Sequence, residues 1–117
     1  MMGTINLKHG KVAFQFASSI TNNNFSEAYS LLSEGQQNEQ SPKLLEKAFE
    51  QMIEYGKGPI HHIELIKEMT EWPAKEANDI GWAYVAMVGN EFSEAVSVVV
   101  SEEHKQYKIR KIEWGRP

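Results

Sequence analysis

The sequence has no cysteine and too few basic residues to outnumber its acidic ones, and both shortages exclude classes of protein. Without cysteine the chain cannot form a disulfide, a zinc–thiolate site or a thiol nucleophile. Its 12 Lys and Arg against 16 Asp and Glu give a formal net charge of −4. Because phosphate binding needs clustered basic side chains, we expect no nucleic-acid partner.

Long apolar runs are also missing. The longest weakly polar run, GWAYVAMVG, is too short to span a bilayer, and the opening MMGTINLKHGKVAFQF has no apolar stretch of signal-peptide length. We therefore expect a cytoplasmic protein without a membrane partner.

Motifs for cofactor or metal chemistry are lacking as well. The sequence contains no glycine-rich phosphate loop, nucleophile elbow or metal-ligand spacing. The pair His61 and His62 does not change this, because neighbouring residues of a strand point to opposite faces and cannot bind one ion. We expect no metal and no cofactor.

What the sequence does contain is the composition of one globular domain spanning residues 1–117, with 41% hydrophobic residues. The first half has helical periodicity and predicts three helices, in KVAFQFASSITNN, NFSEAYSLLSEG and SPKLLEKAFEQMIEYG. Asn24 and Ser41 are the predicted N-caps of the second and third helices, and Gly35 and Gly56 are their predicted ends.

The second half has the alternation of strands. The predicted strands lie in IHHIELIKEM, IGWAYVAMV, EFSEAVSVVV and QYKIRKIEW. Three helices followed by a meander of about four strands predict an α+β fold, with the helices packed on one face of a curved antiparallel sheet.

The dipeptide Gly89-Asn90 predicts the register of the central hairpin, because it suits a two-residue turn that pairs Val88 with Glu91. The next pairs on the helix-facing side are then Met87 with Phe92, Val85 with Glu94, Ala83 with Val96 and Gly81 with Val98. This face is almost wholly apolar, so we expect it to meet the helices.

The opposite face of the hairpin carries aromatic and small side chains, namely Trp82, Tyr84, Ser93, Ala95 and Ser97. Such a flat, adhesive surface is unusual for a sheet exposed to solvent. It predicts a contact with another chain, which is either a second copy in a homodimer or a different protein.

Glu94 is the one charged residue assigned to the helix-facing side. An ionised carboxylate in that position needs a partner. If the last turn centres on Glu103-His104, Glu94 also lies opposite Glu113, and like charges at that distance repel each other.

Two arrangements would relieve this repulsion. In the first, Lys111, Arg110 or Arg116 neutralises one of the carboxylates. In the second, a one-residue bulge in the last strand turns Glu113 outward. The apolar residues of that strand change parity, from Tyr107 and Ile109 to Ile112 and Trp114, which is typical of such a bulge.

Three residues are candidates for acid–base chemistry: Glu94, Asp79 and Tyr107. Glu94 would be a carboxylate facing the helices, and Tyr107 would supply a phenol. Asp79 comes just before the strand that contains Trp82, where it either acts as a general base or closes the preceding turn.

The order of helices and strands resembles the nuclear transport factor 2-like fold, a cystatin-like cone whose members include ketosteroid isomerases, polyketide cyclases and many non-enzymatic domains. Within that fold, the block GWAYVAMVGNEFSEAVSVVV followed by IRKIEWGRP resembles a bacterial group of immunity proteins, which protect a cell from polymorphic toxins. The resemblance implies a last strand inside the sheet, with Trp114 packed and Arg116 and Pro117 free. Arg116 would then stack on an aromatic ring or meet the terminal carboxylate.

Two functions are consistent with these expectations. The favoured one is a non-enzymatic protein that binds and neutralises a protein toxin. The residues expected to take part in binding are Trp82, Tyr84, Ser97, Glu94, Glu113 and Arg116. The acidic stretches EMTEWPAKEAND and SEEH would attract a basic toxin, or would serve only solubility.

The alternative is a small-molecule-binding or ketosteroid-isomerase/polyketide-cyclase-like enzyme of the same fold. Such an enzyme needs an open cone with a positioned acid–base group and a hydrogen-bond donor. The helix-facing residues assigned above are mostly apolar, which favours the non-enzymatic function.

Overall fold

The computed structural model describes residues 8–56, 60–89 and 93–115. Within them, four helices come first and four strands follow: α1 (Lys8–Thr21), α2 (Phe25–Ser30), α3 (Glu34–Glu39), α4 (Pro42–Gly56), β1 (His62–Met69), β2 (Asp79–Val88), β3 (Ser93–Glu103) and β4 (Gln106–Gly115). The strands form one antiparallel sheet in the order β1-β2-β3-β4. The predicted α+β fold, with N-terminal helices packed on a curved antiparallel sheet, is confirmed.

The second predicted helix is in fact two helices. Asn24 caps α2 as predicted, since its Oδ1 accepts a hydrogen bond from the Glu27 N–H at 3.3 Å. However, α2 ends at Ser30, and Ser33 caps the next helix, α3. Gly35 therefore lies in the first turn of α3 and does not end a helix, so that prediction was wrong.

The break between α2 and α3 has its cause in the sheet. There the chain runs beside β4: the Ile109 N–H donates to the Leu31 carbonyl at 2.9 Å, and the Ser33 N–H donates to the Ile109 carbonyl at 2.8 Å. Leu32, between them, is buried in the core. These bonds satisfy backbone groups of an edge strand, a long-range effect that no local helical pattern reveals.

The other two helices follow the predicted pattern. Ser41 caps α4 by accepting a hydrogen bond from the Leu44 N–H at 3.1 Å, and the helix runs from Pro42 to Gly56. The buried residues of the two apolar stripes are Ala13, Phe16, Ala17 and Ile20 on α1 and Leu45, Phe49 and Met52 on α4. They join the inner face of the sheet in one core cluster.

The central hairpin has a longer connection than predicted. Val88 pairs with Ser93, so residues 89–92 separate the paired strands, and the predicted partners of β2 were wrong by two residues. A turn dipeptide expresses only a local preference, whereas the packing of the whole buried face sets the register. Because the shift is even, the residues of β2 and those of β3 from Glu94 onward keep their predicted faces. Asn90 lies outside the described residues.

The predicted bulge in the last strand is confirmed. Val100 pairs with Ile109 but Val99 pairs with Lys111, which leaves Arg110 as the extra residue. Beyond it, Glu113 is exposed and pairs with Ser97. The alternative in which Glu113 faces Glu94 was therefore wrong, since Glu113 lies opposite Ser97, three residues further along β3.

The end of β4 is docked on the body of the fold. Trp114 is half-buried, and its ring centroid lies 6.2 Å from that of Phe16 on α1. The expectation that this tryptophan is packed is confirmed, although part of its side chain is exposed. Arg116 and Pro117 lie outside the described residues.

None of the helices in the described part of the chain has the length and apolar run that crossing a membrane requires.

Candidate functional site

The outer face of the sheet brings four of the expected binding residues together, namely Trp82, Tyr84, Ser97 and Glu113. Trp82 and Tyr84, both on β2, stack with ring centroids 5.9 Å apart and an interplanar angle of 21°. Ser97 on β3 pairs with Tyr84. Both aromatic side chains are half-buried. Around them, Lys67 on β1 and Glu113 on β4 continue the same row of the sheet, so the aromatic pair has a charged rim.

The two acidic stretches singled out in the sequence meet at one end of the sheet. The Glu102 N–H, near the end of β3, donates to the Asn78 carbonyl in the β1–β2 connection at 2.9 Å. The Glu34 N–H at the start of α3 donates to Glu103 Oε1 at 3.0 Å. We call the surface formed by Glu34, Glu76, Glu102 and Glu103 the acidic end.

The acidic end surrounds a cleft of about 560 Å³, whose lining includes Gly35, Glu76, Asp79, Glu102, Glu103, His104 and Arg110. Glu34, Glu76 and Glu102 are exposed. The Glu34, Glu103 and His104 ligand atoms also lie within 4.8 Å of one another. Exposed carboxylates at this spacing are common without a bound ion, and we assign no metal to them.

Asp79 lies at the floor of this cleft in an ion pair. Its Oδ1 accepts from Arg110 Nε at 2.7 Å and its Oδ2 from Arg110 Nη2 at 2.7 Å. Oδ2 also accepts the Glu76 N–H at 2.9 Å, and the Asp79 side chain has no exposed surface. Asp79 thus closes the turn before β2, which is one of the two roles that the sequence suggested for it.

The same contacts set the protonation of Asp79. Burial by itself raises the pKa of this carboxyl, but the hydrogen bonds from Arg110 and the Glu76 N–H lower it. The positive charges of Arg110 and Lys75 lower it too, and the resulting pKa lies below the ordinary value. A carboxylate with both oxygens engaged and reduced basicity is poorly suited to take a proton from a substrate.

The other two acid–base candidates lie in separate surroundings. The Tyr107 hydroxyl accepts from Lys8 Nζ at 3.2 Å, and the same ammonium lies 5.0 Å from the ring centroid. Glu94 is 5% exposed and faces the helices, as predicted. It pairs with Met87, eight residues from Asp79 along β2, which is about 26 Å at ~3.3 Å per residue.

One buried polar pair was not predicted from the sequence. His9 on α1 is 3% exposed, and its Nε2 lies 3.6 Å from Glu68 Oε2 on β1. Among the described residues, neither of these two buried atoms has a hydrogen-bond partner. Burial lowers the pKa of the His9 imidazole below its ordinary value, and the negative charge of Glu68 opposes this only in part.

Only one member of this pair, His9, could have been predicted from the sequence to be buried. His9 continues the buried stripe of Ala13, Phe16 and Ile20 by one turn, so extending the helical pattern would have placed it inside. Glu68 gave no such signal. In β1, Leu65 and Lys67 pair with successive residues of β2, so Ile66 is an extra residue that forms a bulge. Glu68 faces inward only because of this bulge.

No model of a known protein family matches the chain, and no characterised protein matches it in sequence. In structure, the chain is similar to a DUF4783 family protein from Bacteroides uniformis. The TM-score is 0.56 at 10% sequence identity, and the match covers 96% of this chain and 98% of the other. At that identity the similarity shows the fold alone.

Proposed function

We propose that this chain is a bacterial, cytoplasmic immunity protein of the nuclear transport factor 2-like fold, which neutralises a basic protein toxin by binding it without catalysis. The observation that carries the proposal is the acidic end, where α3, the β1–β2 connection and the end of β3 present Glu34, Glu76, Glu102 and Glu103 together. A concentration of negative charge of this kind attracts a basic partner and speeds its association.

The acidic end is also held in place before any partner arrives. The Asp79–Arg110 ion pair fixes its floor, and the Glu102 N–H bond to the Asn78 carbonyl joins the β1–β2 connection to the end of β3. Little side-chain and loop entropy is then lost on binding, which favours affinity at a given contact area.

The stacked pair Trp82 and Tyr84 is the second proposed contact. Stacked aromatic side chains with a charged rim have the composition of a protein interface. The occupant is either the toxin or a second copy of this chain.

The test requires the toxin encoded beside the gene for this chain. Host cells express that toxin together with either the wild-type chain or the variant Glu76→Lys/Glu102→Lys. We expect the variant to lose protection and its association rate to fall by about tenfold or more at low salt. The matched control is Glu50→Lys, a reversal on the exposed side of α4.

Full protection by the Glu76→Lys/Glu102→Lys variant would remove the acidic end from the proposal. A biosynthetic gene cluster in place of a toxin gene would contradict the immunity function itself. Thermal melts of all variants establish that the fold is retained.

A second candidate function is a small-molecule-binding or ketosteroid-isomerase/polyketide-cyclase-like enzyme. The specific observation in its favour is the buried pair His9 and Glu68, a histidine and a carboxylate side by side beneath a cleft. Turnover of a ketosteroid by the wild-type chain, lost in His9→Asn and Glu68→Gln, would replace the binding function with this one.

A further inference from the structure

Among the described residues, no lysine or arginine forms an ion pair with the Glu68 carboxylate. Its ion-pair partner within 4 Å there is His9, at 3.6 Å, and His9 is kept neutral near pH 7 by a lowered pKa. The Glu68 side chain is only 15% exposed, so water hydrates it incompletely. A partly buried carboxylate of this kind is stabilised when a cation or an N–H donor binds it.

Two glycines make room for the pair. A Cβ atom at Gly10 on α1 would overlap Glu68 Oε2, and a Cβ atom at Gly81 on β2 would overlap the ring of His9. A side chain at position 81 would thus require the His9 ring to move, and one at position 10 would displace the end of the Glu68 side chain. The pair is a built feature of the fold, with small residues placed on two different elements.

The carboxylate borders a cleft. A space of about 620 Å³ follows residues 62–68 of β1 and is closed on the helix side by Phe14. Ile63 and Leu65 face the same side of the sheet as Glu68, because they pair with the inward residues of β2. The cleft volume lies within the range of ~300–1,000 Å³ that small-molecule sites have.

These features define the chemistry of an occupant. The apolar side chains Phe14, Ile63 and Leu65 suit an apolar body, and Glu68 suits a positively charged head group at its end. We propose that Glu68, positioned by His9, anchors a small-molecule site for a protonated amine whose apolar body lies in the cleft along β1. The site is separate from the proposed toxin contact, because the residues that line its cleft and those that line the cleft of the acidic end do not overlap.

Three probes of similar size and different charge test the proposal on the full chain: 2-phenylethylamine, 2-phenylethanol and 3-phenylpropionate. Binding is followed by NMR titration, with the His9 imidazole resonances as the local reporter. We expect the amine to saturate with a Kd of about 1 mM or lower. The alcohol should bind at least about tenfold more weakly, and the carboxylate should not bind.

Two matched variants locate the site. Glu68→Gln keeps the shape, removes the charge and should weaken amine binding by about tenfold or more. Glu50→Gln makes the same change at an exposed position of α4 that does not line the cleft, and it should leave binding unchanged. Gly10→Ala keeps the carboxylate but fills its space, so it should also weaken binding.

The comparison of the three probes on the wild-type protein does not depend on any variant folding. Equal binding of amine, alcohol and carboxylate, or no saturation by the amine, would overturn the proposal. So would amine binding that leaves the His9 resonances unmoved or that survives Glu68→Gln. A shift of the His9 imidazole on amine binding is the readout that distinguishes a positioning residue from one that only fills the core.

Discussion

Among single residues, Asp79 and Arg110 form an asymmetric ion pair. They lie 31 positions apart in the sequence and share two hydrogen bonds of 2.7 Å. The Asp79 side chain has no exposed surface, whereas that of Arg110 is 28% exposed. Removing the cation therefore leaves a buried anion, whereas removing the anion leaves a cation that water reaches.

We expect Arg110→Met to lower the free energy of unfolding by about 3 kcal/mol, the lower end of the range for breaking a buried ion pair. Asp79→Asn should be less costly, because Arg110 keeps Glu76 Oε2 at 3.3 Å and partial hydration. Urea unfolding of both variants and of the double variant gives the coupling between them. Strictly additive losses would show that the two side chains do not act as a unit.

His9 gives the stability of the fold a dependence on pH. Its pKa in the folded chain is lower than its ordinary value of 6.5, so between these two values the unfolded chain binds more protons than the folded one. The free energy of unfolding should therefore fall as the pH drops below about 6.5 and should stay level above it.

Melting temperatures across this pH range check the prediction. The dependence should be absent in His9→Asn and present in His104→Asn, which changes an exposed histidine in the β3–β4 turn. An unchanged melting profile in His9→Asn would show that this histidine does not cause it. The lowered pKa of Asp79 acts in a separate range, below its ordinary value of 3.8, where acid removes its contribution.

At the scale of elements, the end of β4 is held by one aromatic contact with α1. Trp114 packs on Phe16 and is half-buried. Trp114→Ala should lower stability by about 2 to 3 kcal/mol, below the ~3–5 of a fully buried aromatic residue, and deletion of residues 113–117 should lower it further.

Thermal melts decide this prediction. The matched control is Trp72→Ala in the β1–β2 connection. The centroid of the Trp72 ring lies 5.9 Å from Lys75 Nζ, and the ring is outside the core cluster. A melting temperature unaffected by the loss of residues 113–117 would mean that the C-terminal end of β4 does not stabilise the fold.

Features that depend on residues close together in the sequence could be predicted, whereas features that depend on distant residues could not. The caps at Asn24 and Ser41 and the stripes of α1 and α4 are encoded within a few residues, and their predictions were confirmed. The split between α2 and α3 depends on Ile109, more than 70 positions away, and could not be predicted. The hairpin register likewise depends on packing along all of β2 and β3.

The candidate sites show the same limit. The bulge of β4 could be predicted because apolar residues occur on both sides of it. They occupy odd-numbered positions before the bulge and even-numbered positions after it. In β1 the bulge at Ile66 is followed by Lys67 and Glu68, and polar residues do not indicate which positions face the core. The inward turn of Glu68, and with it the pair with His9, was therefore invisible in the sequence.

At the scale of the whole molecule, the aromatic pair and the acidic end occupy different surfaces. Trp82 and Tyr84 lie on the sheet face opposite the core, whereas the carboxylates of the acidic end lie where β2, β3 and the loops meet. The two proposed contacts therefore involve different residues and can be tested separately.

If the aromatic pair is a homodimer contact, the wild-type chain should scatter light as a dimer at high concentration and Trp82→Glu as a monomer, because the charge would be buried at the contact. Lys67→Glu, on the rim, is the control for a change of charge alone. A wild-type monomer at every concentration, together with full toxin binding by Trp82→Glu, would leave this face without a role.

The extra residue at Arg110 also affects how this chain is compared with its relatives. Before Arg110, odd-numbered positions of β4 face the core, as Ile109 does, and after it even-numbered positions do, as Ile112 and Trp114 do. An alignment to a strand without the insertion matches inward positions with outward ones beyond this point unless it opens a gap there. Substitutions tolerated in one protein are then scored against the wrong surface of the other. A gap placed at position 110 restores the correspondence between inward and outward positions of the two strands.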